Sequence, residues 1–148
     1  MYKNFRTQTE NLTRIYNMSK TVKALAIIDI ITSFFYLLLT PFVGFFNLIE
    51  MMFGYMGYHG AKTFDKGYII NYSIFQIFKT FLSILFPILV FINYSIPTSY
   101  IITSVIIMFL NVYISVFIHK FYKELKDLSL GDLDQLKRLN SPINLTVW

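Results

Sequence analysis

Four apolar segments alternate with short polar stretches along this chain, at residues 22–40, 43–61, 69–92 and 100–118. A membrane-spanning helix needs roughly 20 mainly apolar residues, and about 17 is the lower limit. A water-soluble helical bundle would instead need a charged outer face on every helix, and these segments lack one. The pattern therefore predicts an all-α protein, an integral membrane four-helix bundle with a cytoplasmic amphipathic C-terminal helix.

The segments divide the chain into a polar N-terminal tail, residues 1–21, a four-span bundle, residues 22–118, and an amphipathic tail, residues 119–148. The N-terminal tail is expected to be flexible or ordered by a partner. In the C-terminal tail, Ser129 and Asp132 resemble a capping box that starts a new helix. This tail is expected to lie on the bilayer or the bundle, or to bind a protein partner as a helix in a groove. Its apolar edges are Phe121, Leu125 and Leu128, then Leu133, Leu136 and Leu139.

Basic residues are distributed on one side of the predicted topology. With four spans, both tails and the loop near residues 61–68 share a side, and that side receives every Lys and Arg except Lys79. The opposite loops, residues 41–46 and 93–99, carry no charge. The positive-inside rule then places both termini in the cytoplasm or its equivalent. Which membrane is involved, cellular, organellar or viral, stays open.

Small and polar residues recur at steps of three and four within each span, which marks one stripe on a helix. In lipid such a stripe faces inward, because small residues permit close backbone approach and polar ones bond between helices. In the second span the stripe predicts a tight-packing edge formed by Gly54, Gly57, Gly60 and Ala61.

Ionisable residues inside spans are the strongest candidates for function. Glu50 and Lys79 are each predicted about 15–17 Å from the cytoplasmic surface on neighbouring spans, so we expect an ion pair. Asp29, Gln76 and Asn111 lie about 8–10 Å deep by the same rise and are expected to form a second polar layer. The pair either fixes the register of the helices or belongs to an ion or proton path.

The sequence from Gly57 through Gly60 and Ala61 to Tyr72 resembles the junction between the second and third spans of tetraspanins. That family has a Gly-Cys-Cys-Gly-Ala type sequence there, a short cytoplasmic turn and an aromatic residue at similar spacing. The resemblance implies four spans and cytoplasmic termini. Two departures matter: Tyr58 and His59 replace the cysteines, which excludes palmitoylation there, and residues 93–99 replace the large cysteine-rich loop. Partner recognition through that loop is therefore not implied.

Composition narrows the functional classes further. Only 14% of the 148 residues are charged and 55% are hydrophobic, whereas soluble domains average about 25% charged. There is no cysteine, the two histidines lie at predicted helix ends, and no metal or phosphate motif is present. We therefore expect neither catalytic residues nor a metal or cofactor.

The net charge of +5 is explained by attraction to anionic lipid headgroups, without a role for nucleic acid. Two functions remain. The first is a non-catalytic structural or organising subunit that binds other membrane protein subunits. The second is a component of a small ion or proton transporter that uses Glu50, Lys79 and Asp29.

Overall fold

A computed structural model describes residues 2–39, 44–93 and 97–140. These residues form five α-helices: α1 (Tyr2–Leu39), α2 (Gly44–Thr63), α3 (Lys66–Asn93), α4 (Thr98–Lys126) and α5 (Leu130–Asn140). The described part of the chain contains no strand, so the all-α prediction is confirmed. The predicted charge-free loops fall partly on residues 40–43 and 94–96, and the end of the C-terminal tail on residues 141–148, which lie outside the described ranges.

Three helical segments are long and apolar enough to cross a membrane: Thr9–Leu39, Lys66–Val90 and Thr98–Lys126. Their most apolar stretches have mean hydropathies of 2.0, 1.9 and 2.4. These segments support a multi-pass membrane protein. Helix α2 is not among them, so the predicted second span, residues 43–61, stays a prediction.

Helix α1 begins far ahead of the predicted first span and includes most of the N-terminal tail, which the sequence predicted to be flexible or ordered by a partner. Its 38 residues correspond to about 57 Å at the α-helical rise, nearly twice the roughly 30 Å of a bilayer core. The reason is an apolar stripe in a polar sequence. Leu12, Ile15, Met18 and Val22 recur every three or four residues, and all four are buried.

Helix α5 begins where the capping residues predicted a new helix. The backbone N–H of Asp132 donates to Ser129 Oγ at 3.2 Å, and Ser129 Oγ donates to Asp132 Oδ2 at 2.7 Å. Leu133 and Leu136 are buried, whereas Leu139 is exposed. The helix packs against α1, so its apolar edge has a partner within the chain.

The turn between α2 and α3 is shorter than the sequence suggested, because α2 continues to Thr63 and α3 starts at Lys66. Phe64 has a positive φ of 54°, a left-handed conformation that non-glycine residues adopt at a cost. Its side chain is buried in the core, which compensates for that cost. Asp65 Oδ1 accepts hydrogen bonds from the backbone N–H groups of Gly67 and Tyr68 and so caps α3.

Helices α1 and α2, α2 and α3, α3 and α4, and α1 and α4 are the main neighbouring pairs. The core lies toward the end of the molecule that contains the α2–α3 turn and α5. Its members come from all five helices or the turn: Leu12, Ile15, Met18, Val22, Ala26, Ala61, Phe64, Ile69, Tyr72, Ile118, Phe121, Leu125, Leu133 and Leu136. We call this end the packed half, and the rest of α1 to α4 the open half.

Candidate functional site

The small residues of α2 lie against its neighbours on both sides. A Cβ atom on Gly54 would approach Ile30 to 2.8 Å and the carbonyl oxygen of Ala26 to 3.2 Å, both on α1. One on Gly57 would approach the Tyr72 ring on α3 to 2.5 Å. Real Cβ atoms do not reach such distances without displacing their neighbours. Only glycine therefore fits between α1 and α3 at this depth.

The next turn of α2 continues the same edge. A Cβ on Gly60 would approach Tyr68 to 2.8 Å and Ile69 to 3.0 Å, and Ala61 is fully buried. The four small residues predicted to pack thus all lie in contact with helices α1 or α3, or in the core. Their close approach brings polar side chains of α3 within reach of α1.

Five side chains from three helices form one hydrogen-bonded group, which we call the polar cluster: Asp29, Glu50, Tyr72, Gln76 and Lys79. Lys79 Nζ lies between two carboxylates. It contacts Glu50 Oε1 on α2, and it lies 2.9 Å from Asp29 Oδ1 on α1. The predicted contact between Glu50 and Lys79 is therefore present. Lys79 joins α3 to both preceding helices.

Asp29 is the centre of the cluster. Its Oδ2 accepts hydrogen bonds from the Tyr72 hydroxyl at 2.6 Å and from the Gln76 amide, while Oδ1 accepts from Lys79. Tyr72, Gln76 and Lys79 are spaced by four and three residues, so they stack on one face of α3. Glu50 has a hydrogen bond from Lys79. Asp29, which accepts three hydrogen bonds, and Glu50, which accepts one, thus share the lysine.

The structure does not separate the polar residues into two layers. Asp29 and Gln76 belong to the same cluster as Glu50 and Lys79 because the lysine side chain extends along its helix toward Asp29. Depth along the helix axis counts only backbone positions, and a lysine side chain reaches well beyond its own Cα. Asn111 meets α3 differently, since its backbone carbonyl oxygen accepts a hydrogen bond from Thr80 Oγ1 at 3.2 Å.

Burial makes the cluster costly unless its groups stay paired. Tyr72 is fully buried and Gln76 is 1% exposed, while the side chains of Asp29, Glu50 and Lys79 are 14%, 17% and 28% exposed. Two carboxylates and one ammonium carry a formal charge of −1. The Tyr72 hydroxyl and Gln76 amide direct their dipoles at Asp29 and stabilise that charge.

Tyr72 is the member of the cluster that was not predicted among its polar residues, although it lies in the third predicted span with Gln76 and Lys79. The signal was available: Tyr72 precedes Gln76 by four residues and Lys79 by seven, on the same helical face. Its ring packs over Gly57 while its hydroxyl bonds Asp29. One side chain therefore couples the glycine edge to the polar cluster.

A cavity of about 410 Å³ between α2 and α3 reaches the polar cluster from one side. Glu50, Lys79 and Asn47 contribute its polar wall, and aromatic side chains dominate the rest. Phe53 and Phe75 stack there with ring centroids 4.6 Å apart. The cluster is thus enclosed by α1 on one side and accessible from the α2–α3 groove on the other.

The histidines lie apart from the polar cluster. Ser73 Oγ lies 3.5 Å from His119 Nδ1 between α3 and α4, and the His59 ring meets Tyr68 edge-on at 5.0 Å between centroids. In the part of the chain that the structure describes, no three His, Cys, Asp or Glu residues converge in a way that would hold a metal ion.

Comparison of the chain with models of known protein families, with curated proteins and with solved structures returns no significant match. The candidate site therefore rests on the geometry of this chain, and the resemblance to tetraspanins stays a prediction.

Proposed function

We propose that this protein crosses the membrane four times and acts as a non-catalytic structural or organising subunit of a membrane assembly. The observation that carries the proposal is the polar cluster, in which every ionisable group has a partner on another helix. Groups that hold three helices in register in this way stabilise one arrangement of the spans. Such a rigid membrane domain is suited to presenting surfaces to other subunits.

The position of α2 supports four spans. Its 20 residues extend about 30 Å, the thickness of a bilayer core. Gly54 lies beside Ala26 and Ile30 of α1, and Glu50 lies beside Lys79 of α3. A helix at the same level as two apolar neighbours crosses the same layer. Glycines and Glu50 lower its hydropathy, but these residues face other helices.

The lengths of α1 and α4 support a platform outside the bilayer. Both helices exceed the roughly 20 residues of a span, and their additional turns meet at the packed half, where Arg14 Nη2 lies 3.2 Å from Glu124 Oε1. Helix α5 covers this region through Leu133 and Leu136. In the proposed topology this platform is on the cytoplasmic side and carries the surfaces that bind partner subunits.

Topology is tested by labelling single cysteines, which the natural chain lacks. Thr98→Cys, at the start of α4, should react with a membrane-impermeant maleimide outside sealed right-side-out vesicles. Asp134→Cys, on the exposed face of α5, should react only after the vesicles are opened. Labelling of both positions from the same side would contradict the proposed four-span topology.

Function is tested by purification in a mild detergent with identification of the co-purifying proteins. A defined complex with other membrane subunits, retained by the wild type and lost on disrupting the packed half, is the expected result. A protein that purifies alone, under conditions that preserve known complexes of the same membrane, would contradict a role as a subunit.

The cavity beside Glu50 and Lys79 favours one alternative, a small ion or proton transporter component. A transport path needs intramembrane charges that contact a wet space, and these two residues line the α2–α3 cavity that such a path would have to use. Symmetric homo-oligomers that conduct ions in liposomes, with conductance lost in Glu50→Gln, would support transport over a structural role.

A further inference from the structure

A second cavity, of about 750 Å³, lies at the packed half between the α2–α3 turn and α5. Three lysines from three helices contribute to its wall, Lys62 on α2, Lys66 on α3 and Lys137 on α5. Residues far apart in the sequence thus concentrate positive charge around one open space. Asp65 is the acidic residue in this wall, and its Oδ1 accepts the two N–H groups that cap α3.

The ammonium groups of these lysines are hydrogen-bond donors. Lys66 Nζ donates to the carbonyl oxygen of Lys126 at 3.2 Å, and an ammonium group has three N–H donors. Lys62 and Lys137 are exposed. Lys23 on α1 lies within electrostatic range of Lys62 and adds to the positive potential. The wall therefore presents a positive surface suited to a phosphate group.

The apolar part of the wall indicates that the phosphate belongs to a lipid. Phe64, Leu130 and Leu133 line the same cavity, and Leu130 is 84% exposed. A free phosphate gains nothing from apolar neighbours, whereas a phospholipid has glycerol and acyl carbons next to its phosphate. The cavity also lies where the apolar parts of α2 and α3 end, which is the headgroup level in the proposed topology.

We propose that Lys62, Lys66 and Lys137 bind the phosphate of an anionic phospholipid and thereby join α5 to the α2–α3 turn at the membrane surface. The proposal rests on the proposed membrane topology and adds a specific lipid site to it. The ligand class is defined by an anionic phosphate headgroup attached to acyl chains.

The test compares the purified protein in detergent with added phosphatidylglycerol or phosphatidylcholine, measuring thermal unfolding and bound lipid by native mass spectrometry. Phosphatidylglycerol should raise the unfolding temperature of the wild type and remain bound. In the triple variant Lys62→Gln, Lys66→Gln, Lys137→Gln, its apparent affinity should fall on the order of a hundredfold, since each lysine near the surface contributes roughly a factor of five.

A matched triple variant removes the same charge from the exposed side of α4: Lys120→Gln, Lys123→Gln, Lys126→Gln. It should keep the phosphatidylglycerol effect. Equal losses in the two variants would overturn the site in favour of diffuse attraction. An equal rise in unfolding temperature with inorganic phosphate alone would assign the cavity to a soluble anion. An equal response of the wild type to both lipids would also overturn the proposal.

Comparable unfolding temperatures of the variants and wild type in phosphatidylcholine establish that the variants are folded. Cysteine labelling and co-purification test the proposed topology and function independently of the lipid site. If both give the expected results but the protein does not distinguish phosphatidylglycerol from phosphatidylcholine, the lipid site alone is refuted.

Discussion

The packed and open halves of this molecule bury their side chains very differently. In the packed half, α1, α4 and α5 enclose large apolar residues such as Phe121 and Leu136, both fully buried. In the open half, large side chains such as Phe35, Phe86 and Phe109 are more than half exposed, and an apolar cavity of about 340 Å³ separates α3 from α4.

The difference indicates that the two halves are adapted to different solvents, water for the packed half and lipid for the open half. Apolar residues gain free energy by leaving water, so a half surrounded by water forms a core. Lipid tails are as apolar as leucine, and helices in lipid associate through small residues and polar contacts instead. The polar cluster lies next to the packed half, with Tyr72 in the core and Lys79 two turns further along α3.

The largest contrast is expected from Phe121→Ala in the packed half. Removing a fully buried ring leaves a cavity and should cost about 3–5 kcal/mol of unfolding free energy. Phe109→Ala, 64% exposed on the same helix, is the control and should cost less than about 1 kcal/mol. Thermal unfolding in one detergent measures both, and similar losses would erase the distinction between the halves.

Lys79→Met should have the next largest effect, because it removes the positive charge shared by Asp29 and Glu50. An unmatched charge within the membrane costs about 3 kcal/mol. Adding Glu50→Gln should restore more stability than adding Asp29→Asn, since Asp29 keeps its bonds from Tyr72 and Gln76. A double-mutant cycle on thermal stability measures the coupling, and additive losses for Glu50→Gln and Lys79→Met would show that these residues do not interact.

Gly57→Ala tests the close approach between α2 and α3. The added Cβ would meet the Tyr72 ring at 2.5 Å, and overpacking of this kind costs about 2 kcal/mol. Gly131→Ala is the matched control, because its Cβ would find only Ser129 Oγ at 3.9 Å and a helical alanine is favoured over glycine by about 0.8 kcal/mol. The two variants should shift the unfolding temperature in opposite directions; a shared direction would refute the difference in packing.

The smallest expected effect is the difference in stability between replacing Asp29 alone and replacing Glu50 alone. Asp29→Asn weakens three hydrogen bonds and should cost about 1.5 kcal/mol. Glu50→Gln leaves Lys79 paired with Asp29 and should cost less. Unfolding temperatures measured side by side give the order, and a greater loss for Glu50→Gln would make Glu50 the principal partner of the lysine.

Some of the candidate site was predictable because helices impose regular spacing. The three- and four-residue steps predicted that Gly54 and Gly57 share one face of the second span. Equal depth on neighbouring helices predicted that Glu50 contacts Lys79. Asp29 was assigned to a separate layer because counting residues measures backbone height, whereas the lysine side chain extends several ångströms along the helix.

Hydrophobic and polar order along the chain predicted by itself an all-α protein with four spans, and three segments of the described residues are long and apolar enough to cross a membrane. The reason is that hydropathy and helical periodicity are local properties. Tertiary structure alone decided that the N-terminal region continues α1, because Leu12 and Ile15 become apolar partners only when α4 and α5 lie beside them. It also decided that Lys79 is shared by two carboxylates, since that contact depends on how closely the glycines of α2 let three helices approach.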